Sequence, residues 1–294
     1  MATIETWHFS RDLGAFLDHT ETFLRSQPTL HTVLLTVTNA LRQAGPMAPG
    51  PGAPLFGTLA QDGHTLAAFV YTQQHGLVVS PLSEPAAAAL AARLADEGET
   101  PHSFSGDRES VEAIVNAWRQ CTGDAVVQHR RERLYSLDTL TAPARMPAGR
   151  AQVADQADRS LLMRWAQEYA TAIGEPDGRD FGNWADTRLA YGGVTLWEND
   201  EGEPAAMAGC SPLIAGQVRI APVYTPIHLR GHGYGSAVTA AVAQAALVGG
   251  ADNVLLFTDL ANATSNALYQ RLGFRPITDF VSYRRYGRGS VTAN

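Results

Sequence analysis

Two cysteines in 294 residues leave no disulfide framework to read. Cys121 and Cys210 lie far apart, and neither has a neighbour at zinc-ligand spacing, so reduced thiols in a cytoplasmic protein without metal are expected. Runs of Lys and Arg are also missing. The nearest is His129-Arg130-Arg131-Glu132-Arg133, which reads as a solvated or salt-bridged strand face. With a net charge of −7, the chain lacks the footprint of a nucleic-acid partner. No window approaches the ~18 apolar residues of a membrane span, and Met1–Ser10 has neither the basic nor the apolar region of a signal peptide, so no membrane association is expected. What is present is 45% hydrophobic and 17% charged residues, the composition of a folded protein with room for two domains.

The most informative stretch is Val218–Phe274. Val218–Thr225 reads as a strand and Ser236–Val248 as an Ala/Val/Leu-rich helix. Between them stands Leu229-Arg230-Gly231-His232-Gly233-Tyr234-Gly235-Ser236. A glycine-rich turn before a helix start is an anion site: the first N–H groups converge, and the helix dipole favours negative charge there. Glycines at 231, 233 and 235 let the backbone approach a bulky anion such as a pyrophosphate. No Lys follows the last glycine, which excludes a P-loop. Arg230 stands where a dinucleotide fingerprint wants its first glycine.

After a strand at Asn253–Thr258 comes a second patterned run, from Asp259 to Phe274. Arg230-x-x-Gly233-x-Gly235 and Asn262-x-x-Ser265-Asn266-x-Leu268-Tyr269-x-x-Leu272-Gly273-Phe274, in this order and spacing, resemble the two signatures of the GCN5-related N-acetyltransferase (GNAT) superfamily. The resemblance covers the chain from near Arg150 onward. It implies an α+β acyl-CoA N-acyltransferase fold, with a mixed, mostly antiparallel sheet flanked by helices, acetyl-CoA as co-substrate and an amine as acceptor.

The N-terminal half reads as helix Ser10–Ser26 capped by Ser10, then Leu30–Ala44 as helix or strand. Gly45–Pro54 reads as a Pro/Gly loop, Leu55–Ala60 and Thr65–Tyr71 as a hairpin on Asp62-Gly63, and Leu77–Ser80 as a strand. Helices at Pro85–Asp96 and within Ser105–Cys121 and a strand at Ala125–Leu137 follow. This order repeats the layout of the superfamily's domain, so a tandem is expected: a degenerate copy at 1–137, a linker at 138–149 and a catalytic domain at 150–294. The degenerate copy has Pro81-Leu82-Ser83-Glu84 where the other has glycines, so it is expected to bind no CoA. In the second half, helices are read at Asp155–Ile173, ended by Gly174–Gly178, and at Trp184–Tyr191. Strands follow at Val194–Trp197, Glu203–Ser211 and Phe280–Tyr286.

The resemblance assigns roles. The backbone of Gly231, His232, Gly233, Tyr234, Gly235 and Ser236 would hold the pyrophosphate behind Arg230. Val223, Tyr224 and Thr225 would pair with the pantetheine arm where Pro226 splays the sheet, and the N–H of Val223 or Tyr224 would be the oxyanion donor. Asn262, Ser265, Asn266 and Tyr269 fall at i, i+3, i+4 and i+7 on one helix stripe. The first three are candidate CoA contacts, with Asn262 also an N-cap. Tyr269 is the candidate general acid for the leaving thiolate. Glu168, Glu175, Asp186 and Glu198 are base candidates, and a base need not exist. The alternative function is a CoA-binding sensor or assembly module without turnover. The acceptor's identity, the acyl chain length and the oligomeric state are left open by the sequence.

Overall fold

Strands and helices alternate through residues 6–45, 52–175 and 180–286, the part of the chain described by a computed structural model. The first series is β1 (Thr6–Ser10), α1 (Leu13–Ser26), α2 (Thr32–Ala44), β2 (Leu55–Gln61), β3 (His64–Thr72), β4 (Gly76–Val79), α3 (Glu84–Asp96), β5 (Ser103–Asp107), α4 (Arg108–Thr122) and β6 (Ala125–Leu137). The second is β7 (Arg150–Val153), α5 (Arg159–Ala172), α6 (Phe181–Leu189), β8 (Val194–Glu198), β9 (Pro204–Cys210), β10 (Gln217–Tyr224), α7 (Tyr234–Val248), β11 (Asn253–Asp259), α8 (Ala263–Arg271) and β12 (Phe274–Tyr286). Element by element, the second series repeats the first. Most of the Gly45–Pro54 loop and of the Gly174–Gly178 turn read from the sequence lies outside the described residues.

The chain divides into two units, Met1–Arg133 with Thr278–Asn294, and Leu134–Ile277. The boundaries read from the sequence are 137 and 150. In the first unit, β1 to β4 pair antiparallel, β4 and β5 parallel, and β5 antiparallel with Phe280–Arg284 of β12. In the second, β7 to β10 pair antiparallel and β10 with β11 parallel. The last strand of each series thus gives part of its length to the other unit, because strands pair with neighbours in space and not by order in the chain.

Each unit has its own core. Trp7, Phe69, Phe104 and Trp118 are buried with α3 and α4 in the first. In the second, α7 covers one face of the sheet through Val238 and Val242, while α5 and α6 cover the other through Leu162, Trp165 and Trp184. The Thr-rich stretch 32–38 is helical. Thr36 and Thr38 donate back to Thr32 O and Leu34 O at 2.9 and 2.8 Å, which satisfies their hydroxyls inside the helix.

One local reading is corrected, the Ser10 cap. Helix α1 is capped by Asp12, whose Oδ1 accepts from the N–H groups of Gly14 and Ala15, while Ser10 accepts from Asp12 N–H. Residues 103–107 form a strand, so α4 begins at Arg108 with Asp107 as its cap. The linker is tied down where it begins: Asp138 and Thr141 donate their N–H groups to Gly273 O and Leu272 O at 3.2 and 3.0 Å. Gly273, at φ +99°, makes this approach possible, since a Cβ there would lie 1.9 Å from Thr139 O.

Candidate active site

The site begins where β10 leaves β11. Their parallel ladder runs from Gln217↔Asn253 to Ile220↔Leu256 and stops. On the β9 side the register shifts between Ile220 and Val223, a bulge in which Gly209 is needed because a Cβ there would lie 2.7 Å from Ala221 O. Pro222, inside the bulge, has no N–H to give. The sheet therefore opens after Ile220, earlier than the splay at Pro226 expected from the sequence. Val223 and Tyr224 pair only with Ala208 and Met207 of β9. Consecutive strand residues aim their N–H groups at opposite edges, so one of these two faces the gap.

The chain then turns through Ile227–Leu229. Arg230 Nε donates to Thr225 O at 3.1 Å, folding the loop back on the strand end. His232 Nδ1 sits 3.0 Å from Arg230 O, and its ring stacks on Tyr234 at 5.8 Å. Gly231 and Gly233 hold φ of +85° and +90°, conformations that L side chains resist. Gly235 lies against the strand end, where a Cβ would lie 3.4 Å from Thr225 Oγ1. Gly233 is the N-cap of α7, with no side-chain cap and no acidic residue in the first turn. The first intrahelical bond is Ala237 N–H to Gly233 O, so the N–H groups of Tyr234, Gly235 and Ser236 precede it.

The corresponding helix start in the first unit is closed. Ser83 Oγ accepts from Ala86 N–H at 3.3 Å, Glu84 stands in the first turn, Pro85 has no N–H, and Leu82 N–H donates to Ser110 Oγ at 2.7 Å.

Helix α8 presents the second signature. Asn262 caps it, accepting from Ser265 N–H at 3.0 Å. Asn266 Nδ2 donates to Asp259 O and Asn262 O, and its Oδ1 accepts from Tyr135 OH at 2.8 Å. Asn262 and Asn266 thus hold the helix start to its surroundings. Tyr135, which also accepts from Gln270 Nε2, was not among the residues singled out in the sequence; it lies 131 residues from Asn266, and no local pattern links the two. Tyr269 ends the stripe in the core. Its ring meets Phe274 edge-on at 6.0 Å, and burial, helped by nearby Tyr169, pushes its pKa well above the usual tyrosine value. Val223, Tyr234, Leu268 and Tyr269 belong to one apolar cluster with Ile220 and Leu256, the last paired residues of β10 and β11.

On the other face, α5, the start of β9 and residues 226–230 line an open cleft of about 850 Å³. Of the four carboxylates read as base candidates, Glu168 lies here. Tyr224 OH donates to its Oε2 at 2.6 Å. Burial first and Glu168 second push the Tyr224 pKa up to about 12. Asp186 is held by Arg159 at 2.6 and 2.8 Å, which lowers its pKa, and Glu198 is paired with Arg150 at 2.9 Å. Glu175 is not part of the cleft wall. Among the described residues no cluster of His, Cys, Asp and Glu could hold a metal ion.

An antiparallel sheet whose fourth strand parts from a parallel fifth, beside an uncapped helix, is the acyl-CoA N-acyltransferase fold. Residues 159–274 match the Acetyltransferase (GNAT) family. No curated protein matches the chain. Among solved structures it is similar to a GCN5-related N-acetyltransferase from Sphaerobacter thermophilus (19% identity, 85% of this chain and 86% of that one, TM-score 0.60). It is also similar to a GNAT-family acetyltransferase from Colwellia psychrerythraea (10%, 96% and 99%, 0.57) and to a tandem GNAT protein from the clavulanic acid biosynthesis pathway (14%, 97% and 99%, 0.55). At these identities the likeness speaks for the fold. Among the described residues no helix is long and apolar enough to cross a membrane.

Proposed function

We propose that the protein transfers an acetyl group directly from acetyl-CoA to the amine of a small molecule or peptide, using the second unit. The observation that carries this reading is the open start of α7 beside the gap between β10 and β11. A pyrophosphate fits the free N–H groups of Tyr234, Gly235 and Ser236, and no acidic side chain opposes it. A pantetheine arm fits the strand edge left at Val223–Thr225. The N–H of Val223 or Tyr224 that faces the gap supplies the oxyanion contact.

The amine's lone pair attacks the thioester carbonyl carbon; the C–N bond forms and the C–S bond breaks. An amine that arrives as ammonium releases one proton before attack, and a second ends on the CoA sulfur. Tyr269 donates that proton and regains one from the amine nitrogen through water. Its raised pKa keeps it protonated at neutral pH. Asn262 and Asn266 serve by fixing α8, and Ser265, one turn from Tyr269, borders the donor.

The first unit, with its helix start closed by Ser83, Glu84 and Ser110, binds no CoA in this reading and acts as a structural partner. Free-thiol release from acetyl-CoA across a panel of amines, with CoA affinity measured in parallel, tests the proposal. Turnover on any amine supports it. CoA binding without turnover favours the sensor reading, and no binding removes both.

A further inference from the structure

The cleft beside Tyr224 carries charges of both signs that do not neutralise one another. Glu168 and Glu203 stand in its wall, as do Arg164 and Arg230. Among the described residues none of the four has an ion pair. Nearby carboxylates in the same unit behave differently, since Asp186 and Glu198 are both taken by arginines. Arg164 and Glu168 are four residues apart on α5, a spacing that ordinarily pairs. Here the Tyr224 hydroxyl binds Glu168 Oε2 instead. Arg230 is close enough for its charge to act on the Tyr224 hydroxyl, yet it does not reach Glu168. The wall also carries apolar surface, from Leu161, Trp165 and Ile227, the last 78% exposed, together with Gln167, Thr171 and His228.

Such a wall suits a ligand that brings both charges and an apolar body. We propose that this cleft is the acceptor site and that the acceptor is a free amino acid, its ammonium held by Glu168 and its carboxylate by Arg164. This rests on the acetyltransferase reading above and deepens it. Tyr224 joins the two sites: its side chain orients Glu168, and its backbone borders the strand gap. An ammonium held by Glu168 that gives one proton to water therefore starts as the free amine next to the donor's carbonyl. Tyr224 is a positioning residue in this scheme, and Glu168 and Arg164 determine specificity.

The test is steady-state thiol release with free amino acids, the same amino acids as their carboxamides, and simple alkylamines, for the native chain, Glu168→Gln and Arg164→Gln. CoA affinity is measured by calorimetry for each. Free amino acids are expected to exceed their carboxamides by about tenfold or more in kcat/KM, the worth of a charge-assisted contact. Glu168→Gln should raise the amino-acid KM by about tenfold or more with CoA affinity unchanged. Arg164→Gln should abolish the preference for the free carboxylate, which a purely structural role would not do. Carboxamides used as well as free acids, a preference that survives Arg164→Gln, or a chain that binds CoA and acetylates only other amines or none, overturns the inference while leaving the donor site standing. Failure to bind CoA at all removes the donor reading first.

Discussion

In the proposed mechanism Tyr269 separates catalysis from stability. Its ring is buried at 8% exposure, but the structure gives its hydroxyl no hydrogen-bond partner among the described residues. Removing that oxygen strands no donor or acceptor, so Tyr269→Phe is expected to hold the native melting temperature to within a few degrees or raise it. Thiol release should fall by about a hundredfold or more, the range of a general acid, with CoA affinity unchanged; a variant as fast as the native chain would remove the acid role. The same burial has a consequence in alkali. Tyr269 and Tyr224 both have pKa values raised above the unfolded value near 10. The unfolded chain loses these protons first, so the stability they contribute is intact below about pH 10 and is lost as pH rises through the folded values. Denaturant midpoints should fall above pH 10, and less steeply in the Tyr224→Phe, Tyr269→Phe double variant.

The contrast between α7 and α3 makes an experiment at the level of the element. Ser236→Glu gives α7 the first-turn carboxylate that Glu84 gives α3. A negative charge there favours the helix by about 0.3–1 kcal/mol and repels a pyrophosphate. Melting temperature should hold or rise while CoA affinity drops by about tenfold or more; unchanged affinity would place the phosphates elsewhere. The helix start was legible in the sequence because its determinants are local: glycines at 231, 233 and 235 beside an apolar helix. The Asn262 cap was legible for the same reason, three residues from its partner Ser265. The bond from Tyr135 to Asn266 was not, because a strand from the first series supplies it. Nor was the opening of the sheet at Ile220, where a bulge against Gly209 acts before Pro226 is reached. Glu168 stood equal to Glu175, Asp186 and Glu198 until folding gave Asp186 and Glu198 arginine partners and gave Glu168 a tyrosine in the cleft.

At the scale of the molecule, the repeated element order was readable from periodicity and turn residues, but the exchange of strand ends was not, since pairing partners far apart in sequence leave no local trace. Leu134 and Tyr135 are fully buried in the unit that begins at Leu134, and Phe280–Arg284 complete the pairing of β5. A fragment of 150–294, natural by the sequence reading, therefore lacks residues its core needs and should be recovered aggregated. A soluble, cooperatively melting 150–294 would show the exchange to be dispensable. One open helix start and one closed one give the account its most direct test, calorimetric titration of the full chain with CoA. It predicts saturable binding of one CoA per chain. A properly folded chain that takes up none, or that takes up two, would contradict it.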